Sequence, residues 1–249
     1  MDRIEKCEKK FAELFGGTPA KDGNDVEIMQ ILQRFIFGQL SYTGTLDDKM
    51  RELITCVVLA TYQTLPQLKA HAKASLNAGN SPLELREAIY NCMPFIGCPK
   101  TLNAVATIDA MFAENNISLP LESAVTIKDE ERFEKGQEIQ MPLYGDEIKD
   151  KMSDLPGEFA EAFPQFLTEY CFGDFYTRKG LSVKTRELLN FVILMALGGC
   201  EIQLKAHAQG CLKAGNSVED VYTAIIHAMA YTGIPRAFNA IYAVKDVLK

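Results

Sequence analysis

A chain of 249 residues with a formal net charge of −7 lacks the basic face that a nucleic-acid partner or an anionic membrane surface would require. Nearly half of its residues are apolar, enough for an ordinary core, yet no apolar run is long enough to span a bilayer. The seven cysteines are odd in number and include no CxxC pair, and Met1 to Phe15 alternates charged and apolar residues instead of forming a signal peptide, so a reduced, soluble, cytoplasmic protein is expected.

Residues 1–41 read as a mostly helical lead-in. Leu46-Asp47-Asp48 opens a helix to about Gln63, with acids in the first turn and Met50, Leu53, Ile54, Val57 and Val58 at helical spacing. Leu65-Pro66 starts a second helix that Gly79 ends, glycine being suited to the left-handed position after a helix. Ser81-Pro82-x-Glu84 is a capping box that launches a third helix to about Ile96, and after Gly97-Cys98-Pro99 a fourth runs to about Asn115. Asn116 to Lys128 is the expected linker. A second lead-in covers about 129–173, and the four-helix plan recurs at 182–199, 201–214, 218–232 and 235–248. Period-two alternation is not sustained anywhere, so the fold class is all-α, with short connections placing neighbouring helices roughly antiparallel.

The recurrence is a duplication. Residues 67–111 and 203–247 align without a gap, identical at 18 of 45 positions, beginning Gln67-Leu68-Lys69-Ala70-His71-Ala72 and Gln203-Leu204-Lys205-Ala206-His207-Ala208. The match includes Ala78-Gly79-Asn80-Ser81 with Ala214-Gly215-Asn216-Ser217, and extends upstream to Phe37-Gly38 with Phe172-Gly173 and Arg51-Glu52-Leu53 with Arg186-Glu187-Leu188. Two domains are expected, 1–117 and 129–249.

Two of the three histidines, His71 and His207, occupy the same point of the two copies. Glu52 precedes His71 by 19 residues and Glu187 precedes His207 by 20, each near the start of the preceding helix, so a helical hairpin can bring acid to imidazole. Such a pair transfers protons, or else simply ties the hairpin together. Cys200, Gln203 and His207 share one helix face, where Cys200 is either a nucleophile or a small core filler. Arg51 and Arg186 are read as structural partners of a helix end or as carboxylate holders, and Arg178 as the better anion-binding candidate because it stands in a loop at a helix mouth. His227 and Tyr231, spaced i, i+4 on the third helix of the second copy, replace Asn91 and Phe95 and make that copy the better equipped. No metal-ligand cluster and no nucleotide-binding glycine loop is present in the pattern.

The stretches Glu131-Arg132-Phe133-Glu134-Lys135-Gly136, Leu143-Tyr144-Gly145-Asp146, Arg178-Lys179-Gly180-Leu181, Gln203-Leu204-Lys205-Ala206-His207 and Tyr231-Thr232-Gly233-Ile234-Pro235 resemble carboxymuconolactone decarboxylases, of the AhpD-like superfamily, over essentially all of 130–249. The first half resembles a diverged copy. The resemblance implies an AhpD-like helical fold, a homo-oligomer (a trimer of two-domain chains), a small-molecule substrate and no cofactor. It further implies His207 and Glu187 as acid–base residues, with Arg178, Arg186, Gln203, His227 and Tyr231 toward the substrate and His71 and Glu52 as the weaker site. The sequence departs from the family at Gln140, where an arginine is usual, and at Glu187, where a small residue is usual. In the peroxidase branch Glu187, Cys200 and His207 match, but Gln203 stands for the second cysteine of CxxC, and the first copy has Thr64 and Gln67. A thiol-dependent peroxidase using Cys200 and a non-catalytic helical assembly are the competing readings.

Overall fold

The computed structural model describes residues 1–249, and all its regular elements are helices. In chain order they are α1 (Arg3–Phe15), α2 (Val26–Gly38), α3 (Asp48–Tyr62), α4 (Leu65–Asn77), α5 (Pro82–Tyr90), α6 (Met93–Ile96), α7 (Cys98–Glu114), α8 (Arg132–Tyr144), α9 (Glu147–Met152), α10 (Phe159–Phe166), a π-helical segment (Leu167–Tyr176), α11 (Val183–Leu197), α12 (Glu201–Lys213), α13 (Val218–Thr232) and α14 (Ile234–Val244).

The two copies meet through α3 and α11, which pack on each other at the middle of the molecule. Asp47 caps α3 by accepting from the Met50 N–H, and Ser182 caps α11 by accepting from the Thr185 N–H. From Arg51 through Thr61 and from Arg186 through Ala196 every residue is buried, as a helix surrounded on all sides must be. A single apolar core built on these helices runs through both copies, so a large-to-small change at Leu188 or Ile54 costs about 2–5 kcal/mol.

Helices α4 and α12 fold back along them. Both are closed by glycine in the left-handed region, Gly79 at φ 98° and Gly215 at φ 94°, which lets Asn80 and Asn216 donate back to Ser75 and Cys211 carbonyls. The third helices of the copies differ. The expected helix from Pro82 to Ile96 is interrupted after Tyr90, because Pro94 has no N–H for the Tyr90 carbonyl and its ring crowds that oxygen. Ala230 holds the matching place in α13, which stays continuous.

The lead-ins cross the copies closely at Gly38 and Gly173, where a Cβ would lie 2.2 Å from the Arg3 carbonyl oxygen and 2.5 Å from that of Arg132. In the second lead-in the chain winds for ten residues as a π-helix, which no pattern in the sequence announced. The stretch expected as a linker is strapped down. The Arg86 guanidinium donates to the Glu122 carbonyl at 2.6 Å, the Lys179 N–H to Ala124 at 3.0 Å, and the Thr126 hydroxyl to Thr177 at 2.6 Å.

One feature of the packing governs the site. The third helix of each copy lies over the central helix of the other: α13 packs on α3, and α6 on α11.

Candidate functional site: two imidazole–carboxylate centres

The second copy holds the more densely bonded centre. His207 Nδ1 lies 3.0 Å from Glu187 Oε2. Tyr144, the last residue of α8, donates its hydroxyl to the same Oε2 at 2.5 Å and stands 2.8 Å from His207 Nδ1. Tyr176, the last residue of the π-helical segment, donates to Oε1, and the Asn190 amide donates to the Tyr176 oxygen at 2.5 Å. Gly210, three residues after His207, makes room for this, since a Cβ there would sit 2.4 Å from the Tyr144 oxygen and 2.6 Å from Glu187 Oε2. Glu187 is fully buried. Burial by itself would raise its pKa, but His207 and the bonds from His207, Tyr144 and Tyr176 outweigh it and hold the carboxyl below its ordinary value. Burial, and then the Glu187 charge, push the Tyr144 and Tyr176 hydroxyls far up, so both remain donors.

The first copy repeats the pair with different company. His71 Nδ1 lies 2.8 Å from Glu52 Oε2. Phe15 stands at the end of α1 as Tyr144 does at the end of α8, with its ring 5.3 Å from the imidazole, but it offers no hydroxyl. Ala74 occupies the place of Gly210, where no tyrosine oxygen needs admitting. Over this centre come residues of the other copy. The Tyr231 ring lies 5.5 Å from His71, and His227 Nε2 is 2.9 Å from the Thr55 hydroxyl. Burial first, then the Arg51 and His71 charges, depress His227 to about 3, so it is neutral. His227 Nδ1 and the Tyr231 hydroxyl are buried without a hydrogen-bond partner.

The placement of His227 and Tyr231 corrects the expectation that they equip the second copy. They face His71, because α13 crosses onto α3. In exchange the first copy sends Phe95 against His207, at 5.6 Å, and the Asn91 amide to the Asn190 oxygen at 2.5 Å.

Among the arginines, Arg178 differs from expectation, while Arg51 and Arg186 take the structural alternative. Arg178 makes a two-pronged bond to Glu87 of the first copy, 2.9 Å to each oxygen, and lines an open groove of about 440 Å³ with Tyr90 and Asp174, away from His207. Arg186 is fully buried and shares Glu87 at 3.3 Å, also donating to the Arg178 carbonyl at 3.0 Å. Arg51 is likewise buried and donates to the carbonyls of Leu40, Thr43 and Leu46. An anion-binding role at a loop mouth therefore does not describe Arg178, which faces a carboxylate of the chain itself, as Arg186 does.

Cys200 precedes the first turn of α12, and its thiol donates to the Leu194 carbonyl of α11 at 3.3 Å without capping α12. Burial, and then the Glu201 charge, raise its pKa, so it is a neutral thiol at neutral pH and a poor nucleophile. Gln203 is exposed and its side chain bonds to nothing. Gln140 is buried, accepts from the Thr168 hydroxyl at 2.6 Å, and lines a hollow of about 250 Å³ beside α10.

What the two centres share is the state of the imidazole. In each, Nδ1 is held at a buried carboxylate, Nε2 carries no hydrogen bond from the chain, and 12% (His71) or 15% (His207) of the side chain meets solvent. A carboxylate on Nδ1 fixes the tautomer and leaves Nε2 to exchange a proton with a guest. Sequence reasoning missed Tyr144, Tyr176, Asn190 and Asn91 as parts of the centre, and Glu87 as the partner of Arg178 and Arg186. One signal was present, the paired difference of Tyr144 and Gly210 against Phe15 and Ala74.

The comparisons with known proteins agree with the duplication. The Carboxymuconolactone decarboxylase family matches residues 27–110 and again 161–246. The 4-carboxymuconolactone decarboxylase of Acinetobacter baylyi is 27% identical over 123 residues, 49% of this chain and 91% of that protein, so the relative has the extent of one copy. The nitrosuccinic acid decarboxylase of Metarhizium robertsii is 22% identical over 116 residues, covering 47% of this chain and 80% of that one. A crystal structure from Burkholderia xenovorans, described as a gamma-carboxymuconolactone decarboxylase subunit, superposes with a TM-score of 0.54 at 19% identity over 97% of this chain and 96% of its own, which shows that both copies share its fold. With two family matches that together span most of its length, the chain belongs to the carboxymuconolactone decarboxylase family.

Proposed function

We propose that the protein is a cofactor-independent decarboxylase of a small carboxylic acid that carries an electron-withdrawing group, with His207 and Glu187 as its acid–base pair. The observation that carries this reading is His207 itself, held by Nδ1 at an ionised, buried carboxylate with Nε2 unpaired and reaching solvent. The relatives support the substrate class. Their names denote acids bearing a lactone or a nitro group, either of which accepts the electron pair that a departing carboxylate leaves behind.

In the proposed reaction the carbon–carboxylate bond breaks, carbon dioxide leaves, and its bonding pair enters the lactone or nitro group. His207 Nε2–H then protonates the resulting carbanion at the carbon beside the lactone carbonyl or the nitro group, while Glu187 stabilises the imidazolium before and the Nδ1–H tautomer after transfer. Tyr144 and Tyr176 keep Glu187 anionic by donating to both its oxygens, so the proton held by the pair stays on imidazole. Water reprotonates Nε2 for the next cycle. The His71–Glu52 pair is a second centre of lower competence, because no hydroxyl braces Glu52.

The test is carbon dioxide release from 4-carboxymuconolactone and from nitrosuccinate, run in heavy water. The reading expects release from at least one, with a solvent deuterium at the carbon that the electron pair returns to, beside the lactone carbonyl for 4-carboxymuconolactone and beside the nitro group for nitrosuccinate. Release from neither, or a product free of deuterium, contradicts it.

A further inference from the structure

A small hollow beside Cys200 becomes legible when the copies are superimposed in sequence. Gln63 ends α3 in the left-handed helical conformation, at φ 59° and ψ 29°, whereas Gly198 ends α11 at φ 63° and ψ 164°, a conformation that favours glycine. In the first copy the planar carboxamide of Gln63 is clamped. Its oxygen accepts from the Asn103 amide at 3.0 Å, and its nitrogen donates to the Lys100 carbonyl at 2.9 Å. In the second copy the matching residues are Gly198, Asn239 and Arg236, so the carboxamide is gone, the asparagine that held its oxygen remains, and an arginine side chain stands where Lys100 does. Arg236 folds back over Gly198 so closely that a Cβ there would fall 1.1 Å from Nη1. Neither the Arg236 nor the Asn239 side chain makes a hydrogen bond or an ion pair within the chain, and both border a hollow of about 60 Å³ with Cys200, Leu194 and Leu204 as its apolar wall. Glu201 also borders it but forms no ion pair with the guanidinium.

We propose that this hollow binds a small carboxylate, with one oxygen on the Asn239 amide, as the Gln63 oxygen sits on Asn103, and the other on the Arg236 guanidinium. Two points of chemistry select that class. The two open groups are both donors, and a guanidinium meets a planar carboxylate in two-pronged fashion. The volume equals the share of about two waters, which suits a carboxylate head whose remaining body projects past the exposed Glu201 and Asn239. Cys200 lies seven residues before His207 on α12, about 10 Å along the axis, so the hollow is separate from the imidazole.

The thiol gives the site its own reporter. Iodoacetate and iodoacetamide both transfer a CH2 group to a thiolate sulfur with loss of iodide, and they differ by a carboxylate against a carboxamide that lacks charge. The exposed Cys98 of the first copy is the internal reference. The proposal expects the ratio of iodoacetate to iodoacetamide labelling, read by mass spectrometry at mildly alkaline pH, to be at least about tenfold higher at Cys200 than at Cys98, as a charge-assisted anchor implies. Excess acetate should suppress that preference. Arg236→Gln should abolish it. Equal ratios at the two cysteines, or a preference that survives Arg236→Gln, overturn the proposal. Where Cys200 resists both reagents, acetate titration followed on the Asn239 side-chain amide resonance decides: a saturable shift that Arg236→Gln removes supports the site, and an unmoved resonance refutes it. None of these readouts involves decarboxylation, so the outcome is independent of the function proposed above.

Discussion

The two centres begin from the same pair and diverge in what surrounds it. Around Glu187 both carboxylate oxygens are engaged, by Tyr144, Tyr176 and His207, with Asn190 and Asn91 bonded in line behind Tyr176. Around Glu52 only His71 bonds the carboxylate, while the Tyr231 hydroxyl and His227 Nδ1 sit buried and unpaired nearby. Since each centre is roofed by the other copy, the contrast is not between a sound half and a decayed half. A substitution in one copy alters the neighbouring centre. Duplication without separation has tied their fates together.

The largest expected effect comes from breaking that tie. Glu87 and Arg186 are both fully buried, so Glu87→Ala leaves a guanidinium unpaired in the core and should destabilise the fold by about 3–5 kcal/mol in denaturant titration. A loss below about 1 kcal/mol would mean that water reaches Arg186 and that the cross-copy bond is incidental.

Next in size is the bracing of the carboxylate. Tyr144→Phe makes the second centre resemble the first and removes a hydrogen bond to a charged acceptor, for which about 1.5–3 kcal/mol, roughly ten- to hundredfold in turnover, is expected. Gly210→Ala should produce a similar loss by displacing the same hydroxyl. Turnover that ignores both changes would mean that the tyrosine brace has no part in the reaction.

How much of this was readable beforehand follows the reach of each interaction. The helices of both copies, their caps and the approach of Glu52 to His71 and Glu187 to His207 depend on contacts within one hairpin, 19 or 20 residues apart, and spacing carries that information. The exchange of third helices joins Thr55 to His227 across 172 positions, and a repeat does not reveal which copy a helix roofs. Arg178 was read as an open anion site for the same reason, its partner Glu87 being 91 residues away in the other copy. Tyr144 and Gly210 left a trace only as a joint difference from Phe15 and Ala74. The π-helical winding of Leu167–Tyr176, which delivers Tyr176 to Glu187, has no hydropathy signature distinct from that of an ordinary helix.

The smallest effect sharpens the picture of the roof. His227 is neutral when folded, with its pKa depressed from 6.5 to about 3. Between those values the unfolded chain binds a proton that the folded chain refuses, so stability falls as pH drops through this window. Glu187, also depressed, adds a loss in the same direction at lower pH, as the medium falls below the ordinary carboxylate value toward its own. His227→Asn, which copies Asn91, should flatten the melting temperature between pH 6.5 and 3 relative to the parent. An unchanged slope there would place the imidazole in contact with water.

The comparison of His207→Ala with His71→Ala tests the account most directly, in single-turnover decarboxylation with folding verified for each variant. A loss of about 100-fold or more is expected for His207→Ala and a much smaller loss for His71→Ala. Equal losses, or a greater loss at His71, would show that the tyrosine-braced centre is not where the proton moves.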